Sequence, residues 1–186
     1  MPTSETMPHH IMDSAMLLCA ERGWRSLRMA DIAAKANVDE TEVRTIFADK
    51  NALLRFFYDS LETNDIEHAP EDSVRDRLFA LMMERLDLAT PHRAAIIKMH
   101  HEGMPKVALC RAKKWLGKLP KSVGATEGSG LATLQTMALS AVWLMVIPVW
   151  FEDDSEDLAR TMATLDEQLG NVESVWELVR AYLPKF

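Results

Sequence analysis

The chain has 186 residues, of which 48% are hydrophobic and 26% charged, so it can bury a core of domain size and does not have the composition of a disordered chain. Its two cysteines exclude a disulfide framework, and its first residues lack the basic start and apolar stretch of a signal peptide. The formal net charge of −7 excludes a surface coated uniformly with positive charge for nucleic acid. We therefore expect a cytoplasmic protein.

Apolar residues recur at helical spacing from the start of the chain, and no run alternates in the way a strand does. The first helix is predicted to end at Gly23. A second, short helix ends at Asn37, which tolerates the left-handed conformation that often follows a helix. Asp39 is suited to cap a third helix over residues 40–46, and Asp49 is suited to cap a fourth.

A larger helical part is predicted after a polar connection over residues 62–69. A loop with three glycines interrupts it over residues 121–130, and Gly170 is predicted to end its penultimate helix. The helices of this part are expected at residues 70–91, 92–102, 105–119, 131–151, 155–169 and 171–183. The predicted fold class is all-α.

The longest apolar stretch, residues 138–151, contains fourteen residues and is interrupted by Ser140 and Pro148. A membrane-spanning helix needs about 20 consecutive apolar residues. No integral membrane association is therefore expected.

The most specific pattern is a pair of short helices joined by a tight turn, which is the helix-turn-helix arrangement. This arrangement needs a small residue where the helices cross, which is Ala33 here. It needs a turn residue, Asn37, and an apolar anchor after it, Val38. The second helix of such a pair can enter the major groove of DNA.

Three motifs, at residues 15–24, 32–39 and 47–53, agree in residue type and spacing with the TetR family of bacterial transcriptional regulators, which the first third of the chain resembles. The resemblance implies a homodimer with two DNA-reading heads, in which a bound ligand releases the DNA. It also implies a helix-turn-helix DNA-binding domain over residues 1–58 and a helical ligand-binding and dimerisation domain over residues 59–186.

Carried over position by position, the resemblance assigns DNA contacts to Arg28, Thr41, Glu42, Arg44, Thr45 and Lys50. The sequence departs from the family at Arg28, which replaces a Ser or Thr, at Thr41-Glu42, which replaces Gly-Thr, and at Arg44, which replaces Tyr. Residues 39–45 hold three acids and one cation. Each acid near DNA offsets part of the counterion-release gain of a cation, although a glutamate can accept a hydrogen bond from a cytosine amino group.

The larger domain is expected to hold a pocket for a hydrophobic small molecule, because its helices supply mostly apolar side chains with few polar groups. The candidate pocket residues, each of which is also suited to an ordinary core, are Met82, Leu86, Met99, His100, Trp115, Gln135 and Trp143. The resemblance also implies that the last long helices pair across a two-fold axis. The candidate interface residues, which recur at helical spacing, are Met137, Ser140, Ala141 and Leu144.

A second resemblance leaves an alternative open. Residues 154–165 are similar to the C-terminal part of the lipid-binding accessory protein of coenzyme Q biosynthesis, which shares the TetR-like fold and has no DNA role. Capping and solvation of a helix start by Ser155 and its acidic neighbours explain the same pattern. The sequence contains no phosphate-loop, dinucleotide-binding, nucleophile-elbow or CxxC motif, so we expect no enzyme and no cofactor. His92, His100 and His101 lack the i, i+4 pairing of a zinc site, so we expect no metal.

Overall fold

The computed structural model describes residues 6–62, 72–122 and 129–182. These residues form α-helices and a 3-10 turn at Thr90–His92, with no β-strand among them, which confirms the predicted all-α fold class. The helices are α1 (Met7–Arg22), α2 (Met29–Ala36), α3 (Glu40–Ile46), α4 (Lys50–Ser60), α5 (Val74–Ala89), α6 (Arg93–His101), α7 (Lys106–Ser122), α8 (Ser129–Phe151) and α9 (Ala159–Tyr182). The connection predicted at residues 62–69 and the loop predicted at residues 121–130 lie largely outside the described residues.

The chain packs as two compact units, each of which draws on separate segments. The first contains residues 6–62 and 88–112, and the second contains residues 72–87, 113–122 and 129–182. Residues 88–112 therefore pack with the N-terminal helices, although they follow the predicted domain boundary at residue 58. That boundary stays a prediction about functional domains.

One apolar face of α1 forms the centre of the first unit. Ile11, Ala15 and Cys19 on this face are completely buried, and α1 packs against α2, α4 and α6. The Cys19 thiol donates to the carbonyl oxygen of Ala95 on α6 at 3.7 Å, and burial raises its pKa to about 12. Gly23 ends α1 as predicted, with a φ of +83° that favours glycine.

In the second unit α8 packs against α9, and α9 runs without interruption from Ala159 to Tyr182. The predicted helix break at Gly170 is therefore wrong. A glycine inside a helix costs only about 1 kcal/mol relative to alanine, which packing can outweigh. The absence of a side chain also leaves space for the Arg75 guanidinium, whose Nη2 atom lies 3.3 Å from the position a Cβ would take.

The segment Ala132–Phe151 of α8 is 20 residues long and, by length and composition alone, apolar enough to cross a membrane. The uncharged residues before Ala138 extend the predicted apolar stretch to this length. One helix of this kind is not a convincing membrane span, and the absence of integral membrane association stays a prediction. Only 28% of the tested window is buried, so within the described residues this helix presents much uncovered apolar surface.

The start of α9 is organised around a buried carboxylate. Asp153 is fully buried, and its Oδ2 atom accepts hydrogen bonds from the backbone N–H and the hydroxyl of Thr161 at 2.8 and 2.7 Å. Its Oδ1 atom accepts from the backbone N–H of Ser155, whose hydroxyl oxygen accepts from the N–H of Ala159. Burial alone raises the pKa of Asp153, but hydrogen bonds from Ser155 and Thr161 outweigh it and hold the pKa well below its usual range.

We expect Asp153→Asn to lower the free energy of unfolding by about 2 kcal/mol near neutral pH, because an amide replaces one of the two accepting oxygens. The lowered pKa stabilises the fold above the pKa of the unfolded carboxyl and loses this effect as the pH falls through the folded pKa. The difference between wild type and variant should therefore narrow below about pH 4. Urea unfolding across this range measures it, and an effect that does not depend on pH would contradict the assignment.

Candidate nucleic-acid interface

The turn between α2 and α3 fixes the angle between these two helices within the first unit. Asn37 has the left-handed conformation, with φ +53° and ψ +45°, and its N–H donates to the carbonyl of Ala34 at 3.3 Å. The N–H of Val38 donates to the carbonyl of Ala33, which is buried at the helix contact, at 3.1 Å. These bonds satisfy the last carbonyls of α2 and confirm the predicted turn.

The outer face of α3 carries most of the predicted DNA contacts. Asp39 caps the helix by accepting from the N–H of Thr41 at 2.8 Å, and Val43 is completely buried in the first unit. Since Val43 faces inward, residues on the opposite side of the helix face solvent. The exposed residues of this surface, which we call the outer face, are Thr41, Glu42, Arg44 and Thr45.

Two of the three cations predicted to contact DNA, Arg28 and Arg44, pair with nearby acids. Arg44 donates from Nε to the Oε1 atom of Glu40 at 2.8 Å, one turn earlier on α3. Arg28 pairs with Asp31 at 3.2 Å, and the same carboxylate accepts from the N–H of Arg28 at the start of α2. A guanidinium cannot accept a hydrogen bond, so Arg28 makes no side-chain cap to α2, and Asp31 makes the reciprocal contact to the N–H of Arg28. A phosphate bound by Arg28 or Arg44 would compete with these carboxylates.

Lys50, the predicted phosphate contact, has a different local role in this structure. Its Nζ atom donates to the carbonyl oxygen of Trp24 at 2.9 Å and lies 5.5 Å from the centre of the Trp24 ring. Burial lowers the pKa of Lys50. The side chain therefore holds the loop between α1 and α2 in place.

The same loop is held from a second side by the end of α6. The Oε2 atom of Glu102 accepts from the N–H of Arg25 at 3.3 Å. A Cβ at Gly23 would overlap the carboxylate of Glu102, which could move aside, so it is the φ of +83° that favours glycine there. Sequence reasoning missed Glu102, because its distance along the chain from residue 25 gives no signal of the contact.

The second unit contains a cavity of about 220 Å³, bounded mainly by apolar side chains. Its lining residues come from α5, α7, α8 and α9 and are Val74, Arg75, Leu78, Pro120, Gln135, Ala138, Leu139, Leu169, Val172, Glu173, Trp176 and Glu177. Of the seven predicted pocket residues, Gln135 lines this cavity. Sequence reasoning missed the contribution of α9, because the predicted break at Gly170 hid a helix long enough to reach it.

The other predicted pocket residues lie elsewhere. Met82 and Leu86 are buried in the second unit, where the ring centres of Trp115 and Trp143 lie 5.0 Å apart in an edge-to-face contact. Met99 and His100 belong to the first unit, where Met99 is completely buried and His100 is exposed. These positions remain predictions as ligand contacts, and the structure brings none of them to the cavity that Gln135 lines.

The predicted dimer contacts lie on the uncovered side of α8. Met137 is 64% exposed and Leu144 is 73% exposed, and Ala141 lies between them on the helix. The hydroxyl of Ser140 donates to the carbonyl of Thr136 at 2.6 Å, so this residue turns its polar group toward its own helix. The exposed part of α8 is thus an apolar surface.

Two solved structures are similar to this arrangement. The TetR transcriptional regulator from Nitrosomonas europaea ATCC 19718 superimposes with a TM-score of 0.72 at 24% sequence identity, covering 91% of this chain and 98% of that one. The TetR transcriptional regulator from Rhodococcus sp. RHA1 has a TM-score of 0.52 at 13% identity, covering 92% and 99%. No protein-family model matches the sequence, and neither does any curated protein. The chain therefore has the TetR fold, which confirms the predicted resemblance at the level of the fold.

The described residues include no group of three or more His, Cys, Asp or Glu side chains that could hold a metal ion. The ring centres of His100 and His101 are 6.2 Å apart.

We expect Lys50→Met to destabilise the fold by about 1 kcal/mol, because the carbonyl of Trp24 loses its charged donor. Arg55→Met is the matched control, since Arg55 lies exposed on the same helix. Urea unfolding of both variants measures the difference. Equal stability of the two variants would show that the Lys50 bond does not hold the loop.

Proposed function

We propose that the protein is a TetR-type transcriptional repressor of the cytoplasm, which binds operator DNA as a homodimer and is released by a hydrophobic small molecule. The observation that carries the proposal is the outer face of α3. It is held at a fixed angle by the turn at Asn37, exposes polar side chains on a TetR fold and has the shape required to enter a major groove.

The charges of the outer face favour base contacts over phosphate contacts. The cation Arg44 is paired with Glu40, and Glu42 carries a further exposed negative charge. Fewer unpaired cations displace fewer counterions from DNA. We therefore expect the affinity for DNA to depend less steeply on salt concentration than that of a strongly basic DNA-binding protein. Thr41, Thr45 and Glu42 can hydrogen-bond to base edges, and Glu42 selects a cytosine amino group.

The exposed apolar surface of α8 supports the homodimer. A patch that contains Met137, Ala141 and Leu144 is unusual on a monomer in water, and a two-fold axis allows it to be covered by its own copy. A membrane could also cover this surface. If the protein stays in solution as a dimer without detergent, the surface is a dimer contact and not a membrane contact.

The cavity of the second unit supports the release by a small molecule, since it is apolar with a few polar side chains. The alternative, a lipid- or isoprenoid-binding protein of the coenzyme Q type without DNA binding, is not favoured, because the similar solved structures are TetR transcriptional regulators.

Selection of bound fragments from a pool of genomic DNA, at low and at physiological salt, tests the function. We expect enriched fragments that share a palindrome, because a dimer with two-fold symmetry reads two half-sites. No enrichment at either salt concentration would reject the regulator and favour the coenzyme Q type.

We expect Glu40→Gln to tighten binding to the selected fragment and to steepen its salt dependence by about one phosphate contact, because it frees Arg44. Arg44→Ala should weaken binding with the fold intact. Glu167→Gln, an exposed acid on α9, changes the net charge equally and is the control. Fluorescence anisotropy over a salt series measures all three, and equal effects of the two glutamate variants would remove the Glu40–Arg44 pair from the interface.

We expect Ala141→Glu to give a monomer or an aggregate, because the charge would occur twice beside the two-fold axis in an apolar contact. Ala94→Glu, at an exposed position on α6, should leave the dimer intact. Sedimentation velocity without detergent measures both. A well-folded Ala141→Glu dimer would place the interface on another surface.

A further inference from the structure

Three of the residues that line the cavity of the second unit carry a buried polar atom without a hydrogen-bond partner in the described part of the chain. These atoms are Nε of Arg75, Oε1 of Gln135 and Nε1 of Trp176. Buried polar groups in folded proteins are almost always paired, because an unpaired one loses its bonds to water. All three side chains line this one cavity, so a small rotation of each would present its unpaired atom to a polar group bound there.

The unpaired atoms include both kinds of hydrogen-bonding group. Arg75 Nε and Trp176 Nε1 each carry a hydrogen to donate, whereas Gln135 Oε1 accepts. A carboxylate can only accept and an ammonium can only donate, so neither satisfies both kinds of atom. A hydroxyl accepts and donates at the same oxygen.

The charges at the cavity also disfavour an anion. Arg75 already donates to the carboxylate of Asp166 at 2.7 Å, and its Nη1 atom lies 3.8 Å from the carboxylate of Glu173. The charged lining residues are one cation, Arg75, and two acids, Glu173 and Glu177. An added anion would meet this excess of negative charge in an environment of reduced dielectric constant.

We propose that the cavity binds an uncharged apolar molecule that carries one hydroxyl group. Its hydroxyl oxygen accepts from both Arg75 and Trp176 and donates to Gln135. Its hydrocarbon part contacts apolar side chains such as Leu139 and Leu169. The volume of about 220 Å³ lies below the range of roughly 300–1,000 Å³ for drug-sized ligands, so the molecule is small. This inference rests on the proposed function, in which the same cavity holds the releasing ligand.

The test compares three probes with the same eight-carbon chain, namely 1-octanol, octanoate and octylamine, near neutral pH. Isothermal titration calorimetry on the full-length protein gives the three dissociation constants. We expect 1-octanol to bind at least tenfold more tightly than either charged probe. Tighter binding of octanoate or octylamine would overturn the choice of an uncharged ligand while leaving the cavity as a ligand site.

Two variants test the polar atoms themselves. Trp176→Phe removes the indole N–H and keeps an aromatic ring, and Gln135→Met removes the accepting oxygen at similar length. Each should weaken 1-octanol binding about five- to tenfold, the effect of one hydrogen bond. Gln168→Met on α9 is the control, since Gln168 does not line the cavity, and it should bind as the wild type does.

Circular dichroism establishes that each variant is folded before binding is measured. Unchanged binding in folded Trp176→Phe and Gln135→Met would overturn the assignment of the polar atoms. Failure of all three probes to bind would overturn this inference and the proposed release mechanism together. The selection of DNA fragments uses none of these probes, so it tests the proposed DNA binding independently of ligand binding.

Discussion

Burial of one face of α1 is the constraint from which the geometry of the first unit follows. Ile11, Ala15 and Cys19 exclude solvent completely, and α2, α4 and α6 all contact this helix. The position of α2 then fixes that of α3 through the turn at Asn37. The position of the outer face is consequently set by the apolar packing behind it and not by its own polar residues.

The helix ends of the first unit could be predicted because their causes are local. A left-handed turn residue and aspartate caps act within three or four residues, so Asn37, Asp39 and Asp49 are recognisable in sequence and each has the predicted role. Gly170 shows the limit of this reasoning. The same residue type ends α1 at Gly23, where φ is +83°, and continues α9 at Gly170.

The candidate site was less predictable than the fold. Residues of the outer face follow from helical spacing, but the pairing of Arg44 with Glu40 depends on which rotamers the folded chain selects. The cavity depends on which sides of four helices meet, and a periodic pattern does not contain that information. Gln135 was therefore identified by its polarity on an apolar helix, whereas Arg75 and Trp176 resembled ordinary surface and core residues.

The two cysteines differ in solvent exposure, so their rates of chemical modification can be compared within one molecule. Cys110 is exposed, while Cys19 is buried with its pKa raised to about 12. Because burial raises the pKa of Cys19, its thiolate, the form that reacts, is very rare at neutral pH. Alkylation of Cys19 therefore requires α1 to separate from α6. Where reclosing is faster than alkylation, the rate at Cys19 relative to that at exposed Cys110 measures the fraction of molecules in which the first unit is open.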